Sequence, residues 1–143
     1  MAFNCKLCEF LTVVGTIDPQ VIADTAVFGD EIQMALWEEL IFVFLLGAVD
    51  KTVDCSVYED TDGSAGGAQS LKAATQLTAT DDNKQVVINV KRRDLSTGYY
   101  YVRARIICGS SQAAPLACIV LGANSGPQPT TMADLTTVAQ IMT

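Results

Sequence analysis

The feature that most constrains the fold is a series of short strand-like segments in the central and C-terminal parts of the chain. Residues 40–46 form a continuous apolar run rich in Ile, Val and Phe, and its length favours a strand buried on both faces over a helix fragment. Residues 53–59 alternate apolar and polar side chains, which predicts a strand with one buried face. Residues 85–91 and 99–108 repeat that alternation, and residues 117–121 predict a last apolar strand.

Glycine, aspartate and serine mark the breaks between these segments. Residues 60–69 hold three glycines and predict a loop, and residues 94–98 and 109–115 predict turns. Short strands separated by such turns at near-regular spacing predict an all-β fold, an antiparallel β-sandwich or jelly roll. Because 143 residues fit one domain, we expect a single β-sandwich domain over residues 11–123.

Two segments flank this predicted domain. Residues 1–10 predict an N-terminal arm, followed by a strand over residues 11–17 that Pro19 closes. Residues 124–143 are rich in Thr and Ala and contain two prolines, so they predict an extended C-terminal tail that ends in a short helix from Met132. A tail of this length on a compact domain usually either extends freely into solvent or contacts a neighbouring molecule.

Residues 31–40 are compatible with two different structures. Ile32, Leu36 and Leu40 fall at helical spacing, and local propensity favours one amphipathic helix. The alternative is two strands that meet at a corner formed by the paired glutamates 38 and 39.

Charge and composition argue against several classes of function. The net charge is -7, and an acidic chain repels a phosphate backbone, so we expect no direct contact with nucleic acid. The chain has no histidine, which removes the commonest general base and zinc ligand, and we expect no enzyme activity. The longest apolar run is about half the length of a membrane-spanning helix, and no signal peptide is convincing, so we expect a soluble protein with no membrane partner.

The basic residues cluster in two places, at residues 91–93 and at Arg103 and Arg105. We interpret them as solvated strand faces and one basic patch for an acidic protein neighbour.

The five cysteines and one acidic loop give weak signals of metal binding. An odd number leaves at least one cysteine unpaired within a monomer, and Cys5 and Cys8 form a single CxxC, which is a weak zinc motif. Residues 60–64 look like the start of a calcium loop, but Leu71 stands where that loop needs a glutamate. We therefore expect no cofactor and no metal, and we interpret Cys5 and Cys8 as incidental or as intersubunit cross-links.

A resemblance to a known family rests on a set of segments across residues 45–123. These segments are Gly47-Ala-Val-Asp50, Thr52-Val-Asp-Cys-Ser-Val-Tyr-Glu-Asp-Thr-Asp-Gly-Ser64, Leu71-Lys-Ala-Ala-Thr-Gln-Leu-Thr78, Asp81-Asp-Asn83, Leu95-Ser-Thr-Gly-Tyr-Tyr-Tyr-Val-Arg103 and Ala117-Cys-Ile-Val-Leu-Gly-Ala123. The pattern resembles the head decoration, or cement, proteins of tailed bacteriophages. It implies a β-sandwich in which residues 31–47 are two strands across the corner at residues 38 and 39. The N-terminal CxxC departs from the family pattern.

The resemblance implies a structural virion protein that decorates and stabilises a bacteriophage capsid. Its expected partner is the major capsid protein, and its expected location is the capsid exterior after assembly in the host cytoplasm. We expect a homo-oligomer, a dimer or a trimer, because lattice sites are symmetric. An alternative is a tail-associated or host-carbohydrate binding module that uses aromatic stacking. The candidate interface or cross-link residues are Cys5, Cys8, Trp37, Tyr99, Tyr101, Arg103 and Arg105.

Overall fold

The computed structural model describes residues 11–64, 66–109 and 113–123. Two antiparallel β-sheets pack face to face around one hydrophobic core, which confirms the predicted all-β sandwich. The predicted arm at residues 1–10 and the predicted tail at residues 124–143 lie outside the described residues. The strands of the described chain are β1 (Leu11–Ala23), β2 (Ala26–Phe28), β3 (Ile32–Gln33), β4 (Glu39–Leu46), β5 (Thr52–Asp60), β6 (Gln69–Ala73), β7 (Leu77–Thr78), β8 (Gln85–Lys91), β9 (Tyr101–Cys108) and β10 (Ala113–Ala123).

The strand order shows that most pairings join segments that are distant in sequence. Sheet A has the order β1-β10-β4-β8, and sheet B has the order β2-β9-β5-β6. In sheet B, β3 also pairs with β9, and β7 also pairs with β5. After each of the first three strands of sheet A in chain order, the chain crosses to sheet B and then returns to sheet A. Such non-local antiparallel pairing is typical of sandwiches and jelly rolls.

Alternate residues of the long strands build the core. On β4, Leu40, Phe42 and Phe44 point inwards and are fully buried, whereas the residues between them lie on the outer face. Full burial of one Leu or Phe side chain contributes about 1.5–3 kcal/mol, so β4 is a main source of the sandwich's stability. Mostly smaller buried side chains come from β5 and β9 of the facing sheet and from β10, the neighbour of β4 in sheet A: Val53, Cys55, Val57, Val102, Ala104, Ile106, Ala114, Leu116, Cys118 and Val120.

Pro19 does not end the first strand, so that prediction is wrong. Strand β1 continues through Pro19 to Ala23, and its register against β10 shifts between Ile17 and Gln20. Because β1 is an edge strand of sheet A and the proline lies at this irregularity, the missing N–H does not interrupt a central hydrogen-bond ladder.

Residues 31–40 contain no α-helix, which confirms the two strands that the resemblance implies. Strands β3 and β4 are separated by a short 3₁₀ turn at Met34–Leu36. The Arg92 Nε donates to the carbonyl oxygens of Met34 and Trp37, at 3.3 and 3.1 Å. These bonds satisfy backbone groups that an α-helix would satisfy internally, so a distant arginine favours the corner over the local helix propensity.

Strand β4 is buried on one face only, so the prediction of two buried faces is wrong. Ile41 and Val43 are half-buried on its outer face, and Leu45 is 43% exposed. Strand β10 is also longer than predicted, because it begins at Ala113 and includes Pro115. The continuous apolar sequence of β4 therefore leaves a second apolar face open on the described part of the chain.

Candidate interaction surfaces

The outer face of sheet B carries four side chains that we call the arginine–aromatic cluster: Phe28, Tyr58, Arg103 and Arg105. Phe28 lies at the end of β2 and Tyr58 lies on β5, with β9 and its two arginines between them. Residues two apart on a strand share a face, so both arginines lie on the outer face, opposite the buried Ala104, where they are half-buried.

Close contacts hold the arginine–aromatic cluster in a defined geometry. The Arg103 guanidinium carbon lies 4.1 Å from the centre of the Phe28 ring. The Arg105 guanidinium carbon lies 4.8 Å from the centre of the Tyr58 ring, and its Nη1 donates to the Tyr58 hydroxyl at 2.7 Å. The two rings meet edge to face with their centres 6.1 Å apart. Each cation–π contact contributes about 0.5–1 kcal/mol at an exposed site, so the cluster is ordered before any partner binds.

Carboxylates lie at one side of this cluster. Arg103 Nη1 is 3.6 Å from Glu31 Oε1. Burial raises the pKa of Glu31, the charge of Arg103 opposes that shift, and the charges of Asp60 and Asp62 add to it. Within the described residues, Nε of Arg103 and Nε of Arg105 are buried without a hydrogen-bond acceptor. A buried unsatisfied donor is costly, so these two N–H groups offset part of the stability that the cluster's contacts contribute.

The outer face of sheet A carries a group of neighbouring apolar side chains that we call the apolar face, whereas three of the four outward residues of β8 are polar: Gln85, Asn89 and Lys91. The strand registers place Leu121 between Val13 and Ile41 in one row, and Ile119 beside Val43 in the next. Val87 of β8 extends the second row and is 61% exposed. A contiguous apolar surface of this kind marks an interaction site more often than a solvated surface. The face consists of Val13, Ile41, Val43, Leu45, Val87, Ala117, Ile119 and Leu121.

An open groove continues the apolar face at one end. Val21, Leu45, Pro115 and Ala117 line it, together with the backbone at Gly47, and its volume is about 450 Å³. Its lining contains no charged side chain. The groove therefore offers apolar contact without an acid, a base or a nucleophile.

The predicted aromatic site residues lie in different environments. Trp37 is 1% exposed, and its ring lies so close to Gly122 that a Cβ there would be 2.6 Å from it. The indole is therefore a core anchor and is not available for surface stacking. Tyr99 and Tyr101 are half-buried, whereas Tyr100, between them, is 56% exposed.

The structure brings together two of the predicted site residues and adds two that the sequence did not single out. Arg103 and Arg105 lie side by side in the arginine–aromatic cluster, whereas Cys5 and Cys8 lie outside the described residues. Tyr58 alternates with the buried Val57, so its position on the outer face follows from the strand pattern. Phe28 belongs to a strand of three residues, which is too short for its periodicity to be recognised in the sequence.

The basic run at residues 91–93 is only partly available to a partner. Arg92 is engaged with backbone carbonyls of the corner, and its Nη2 lies 3.4 Å from Glu38 Oε1. Arg93 is exposed. The two basic side chains that lie together on an outer sheet face are therefore Arg103 and Arg105 of the arginine–aromatic cluster.

The remaining chemical motifs have ordinary structural roles. No group of three or more Cys, Asp or Glu in the described ranges is arranged to hold a metal ion. In the calcium-like loop, Asp62 Oδ1 accepts hydrogen bonds from the Ser64 amide and hydroxyl, which lowers the pKa of Asp62 and closes a tight turn. Cys55 and Cys118 are buried in the core, and burial raises the pKa of Cys55 to about 12.

Comparisons with known proteins add a likeness in fold. No protein-family model matches the chain, and no curated protein matches its sequence. A chain from Bacillus endospore appendages, described as disulfide-linked pili, is 12% identical with a TM-score of 0.46, over 87% of this chain and 98% of that one.

No helix among the described residues is long and apolar enough to span a membrane.

Two virus structures are also similar in fold. A chain from the infectious bursal disease virus Gt strain is 11% identical with a TM-score of 0.43, over 80% of this chain and 32% of that one. A chain from the Gx strain is 16% identical with a TM-score of 0.35, over 82% of this chain and 30% of that one. This chain thus spans about a third of each viral chain.

Proposed function

We propose that this protein is a structural virion protein that decorates and stabilises a bacteriophage capsid by binding the lattice of its major capsid protein. The observation that carries the proposal is the arginine–aromatic cluster on an open sheet face. Arginine and tyrosine are enriched at the energetic centres of protein interfaces, and a flat sheet face suits a protein partner better than a small substrate. The resemblance of residues 45–123 to head decoration proteins supports the same function, with the capsid exterior as its location.

The proposed mechanism is stabilisation by binding. A ligand that binds the assembled shell and not its dissociated subunits shifts the equilibrium towards the shell. The rings and guanidinium groups of the cluster are already ordered, which would reduce the entropy lost on binding to the capsid surface. The protein would act as a dimer or trimer on a symmetric lattice site, without catalysis.

Particles assembled without this protein provide the direct test. We expect them to lose infectivity at a lower temperature or at low ionic strength, and we expect added purified protein to restore resistance. Gel filtration of the purified protein is expected to give a dimer or trimer. Particles whose stability is unchanged by the loss of the protein would contradict the proposed function.

A matched pair of arginine variants locates the contact. Arg105→Ala removes one positive charge from the cluster, and Arg93→Ala removes one positive charge from an exposed position outside it. We expect Arg105→Ala to weaken binding to the depleted particles about tenfold or more and Arg93→Ala to leave it nearly unchanged. If the two variants weaken binding to the particles equally, the effect is due to net charge and not to the position of Arg105.

A carbohydrate-binding role is the second candidate, and the exposed ring of Tyr100 is the observation in its favour. The burial of Trp37 removes the stronger stacking group from that hypothesis. Binding of the isolated protein to a glycan array, abolished by Tyr100→Ala, would favour it over the capsid function.

A further inference from the structure

Strand β8 forms one edge of sheet A and directs backbone hydrogen-bonding groups away from the sheet. Just beyond the two strands, the Arg92 amide donates to the Glu38 carbonyl oxygen, so the even-numbered residues of β8 hydrogen-bond to β4. The odd-numbered residues therefore direct their N–H and C=O groups to the free edge. Among the described residues, no hydrogen bond reaches these groups at Gln85 or Val87.

Only the far end of this edge is already engaged. The Lys91 amide donates to Asp94 Oδ2 at 3.0 Å, and Lys72 Nζ donates to the Asn89 carbonyl oxygen at 2.7 Å. Because a carbonyl oxygen has two lone pairs, that of Asn89 is still able to accept a second hydrogen bond. The backbone of residues 85–89 is therefore able to pair with another strand, and we call it the open edge.

The opposite edge of sheet A, formed by β1, is blocked. Pro19 has no N–H, and the register of β1 against β10 is irregular. The Thr16 amide donates to Asp30 Oδ2 at 2.9 Å, and the Thr16 carbonyl oxygen accepts from the Asp30 amide at 3.3 Å. Proteins protect sheet edges with such prolines and irregularities, because an unprotected edge is a template for another strand. The open edge of β8 contains neither device.

The open edge is complementary to a second copy of itself. When two β8 strands pair antiparallel with Val87 opposite Val87 of the partner subunit, Gln85 lies opposite Asn89 on either side. These three side chains are exposed on the outer face, Val87 by 61%. Asn89 Nδ2 donates to Glu39 within its own chain, which leaves Asn89 Oδ1 to accept from the Gln85 amide across the pair.

The lysines of β8 and its approach do not oppose this pairing. In the same register, Lys91 lies opposite Asn83 of the partner subunit, and Lys84 lies opposite Val90 of the partner subunit. Like charges that face each other across two strands are destabilising, and this register contains no such pair. Its backbone pairs are of the hydrogen-bonded type, and each exchanges two N–H to C=O bonds.

We propose that two copies of this protein associate through the open edge of β8, with a two-fold axis at Val87, so that their four-stranded sheets A form one continuous sheet. The pairing consumes the open edge of each copy and therefore closes at a dimer. A contact between two short strands buries less than the about 800 Å² per partner of a standard interface, so we expect a weak, reversible dimer. The inference does not depend on the proposed capsid function, because its tests use the purified protein without particles.

Two exposed valines on opposite edges of sheet A provide a matched test. Val87→Asp places two carboxylates side by side at the two-fold axis, whereas Val21→Asp places the same charge on β1, where Val21 is 66% exposed. We expect sedimentation equilibrium to show dimerisation weakened about tenfold or more by Val87→Asp and unchanged by Val21→Asp. Both variants are expected to keep the β-sheet circular dichroism. A natural protein that is monomeric or trimeric, or equal effects of the two variants, would overturn the proposal.

A charge-reversed partner separates the contact from damage to the fold. Val87→Lys is also expected to weaken self-association, because two ammonium groups then face each other. An equal mixture of the Val87→Asp and Val87→Lys proteins is expected to form a heterodimer, since opposite charges then lie side by side. Native mass spectrometry distinguishes the heterodimer by its mass, and a mixture that remains monomeric contradicts the two-fold axis at Val87.

Hydrogen exchange of the natural protein tests the register. The amides of Gln85, Val87 and Asn89 are expected to become protected as the protein concentration rises and the dimer forms. The amides of Val86 and Ile88 bond to β4 and are expected to be protected at every concentration. Exchange at Val87 that does not change with concentration would rule out the pairing.

Discussion

The guanidinium carbon of Arg103 lies 4.1 Å from the centre of the Phe28 ring, although the two residues are far apart in sequence. Strand β2 is only three residues long, and its pairing with β9 places Phe28 directly opposite Arg105. The same ring therefore faces two arginines, at 4.1 and 5.5 Å. A short strand thus supplies the aromatic surface on which the cations of the proposed interface are ordered.

Replacing the Phe28 ring tests the strength of these cation–π contacts. Phe28→Leu keeps an apolar side chain but removes the ring, so we expect the free energy of unfolding to fall by about 1 kcal/mol. Phe28→Tyr keeps the ring and is expected to retain the stability of the natural protein. Urea denaturation measures the free energy of unfolding of both variants. Equal stability of the Leu and Tyr variants would show that the cation–π contacts do not stabilise the protein.

The contact between Gly122 and Trp37 predicts a second stability effect. A Cβ at position 122 would lie 2.6 Å from the Trp37 ring, and both residues are buried. Because the packed core cannot accommodate this methyl group without shifting the indole, we expect Gly122→Ala to destabilise the protein by about 1–3 kcal/mol. The control is Gly66→Ala, where the nearest atom is the Ser64 hydroxyl oxygen at 3.5 Å, and its effect is expected within about 0.5 kcal/mol. Thermal unfolding of the two variants compares them directly.

Arg92 is expected to stabilise the corner between β3 and β4 far more than its neighbour does. Its guanidinium donates to three backbone carbonyls, whereas Arg93 is exposed. Arg92→Ala removes charged donors from these carbonyls and is expected to cost about 1.5–3 kcal/mol. Arg93→Ala removes the same charge and is expected to cost less than about 0.5 kcal/mol. If urea denaturation shows equal losses, net charge is responsible and the hydrogen bonds are not.

Periodicity predicted the core of the fold because each long strand has one consistently apolar face. The alternation in residues 53–59 and 85–91 correctly identified the inward side chains of β5 and β8, and it also places Arg103 and Arg105 on the outer face of β9. Local patterns did not predict that β1 passes through Pro19, because only the sheet order shows that β1 is an edge strand.

Other features depend on contacts between distant residues and were not accessible to sequence analysis. The helical spacing of residues 31–40 is genuine, but Arg92, more than fifty residues later, supplies the hydrogen bonds of the corner. The contribution of Phe28 to the arginine–aromatic cluster depends on its pairing with β9. The sequence of β4 predicts two buried faces, and the described domain covers only one of them.

The buried thiols are expected to resist alkylation in the folded protein. Burial is the main cause that raises the pKa of Cys55 to about 12, with smaller contributions from Asp54 and Cys108, and burial also raises the pKa of Cys118. We expect iodoacetamide at pH 8 to leave Cys55 and Cys118 unmodified, because little thiolate forms and access is blocked. Mass spectrometry before and after denaturation checks this, and rapid labelling of either thiol in the native protein would contradict it.

The N-terminal cysteines give a separate prediction. If Cys5 or Cys8 cross-links subunits, non-reducing gels of assembled particles should show multimers that reducing agent removes. Replacing both residues by serine provides the control, and multimers that persist in this variant would have another origin.

The ion pair between Lys72 and Asp94 predicts a defined dependence of stability on pH. Lys72 Nζ lies 2.6 Å from Asp94 Oδ2 and also donates to the Asn89 carbonyl oxygen, so it links β6 of sheet B to β8 of sheet A. The hydrogen bond from Lys72 is the main cause that lowers the pKa of Asp94, followed by the hydrogen bond from the Lys91 amide. A carboxyl whose pKa is lower in the folded state adds stability above its unfolded pKa of about 4, and this stability is lost as the pH falls through the folded value.

Asp94→Asn is therefore expected to lower the free energy of unfolding at pH 7 by up to about 1 kcal/mol, because the pair is partly exposed to solvent. The difference from the natural protein should shrink as the pH falls below about 4, since the natural carboxyl then becomes neutral as well. Lys72→Met should show the same trend, and the double variant should lose less than the sum of the single losses. Urea denaturation at pH 7 and in acid measures these values, and a difference that is constant with pH would show that the Asp94 charge does not contribute to stability.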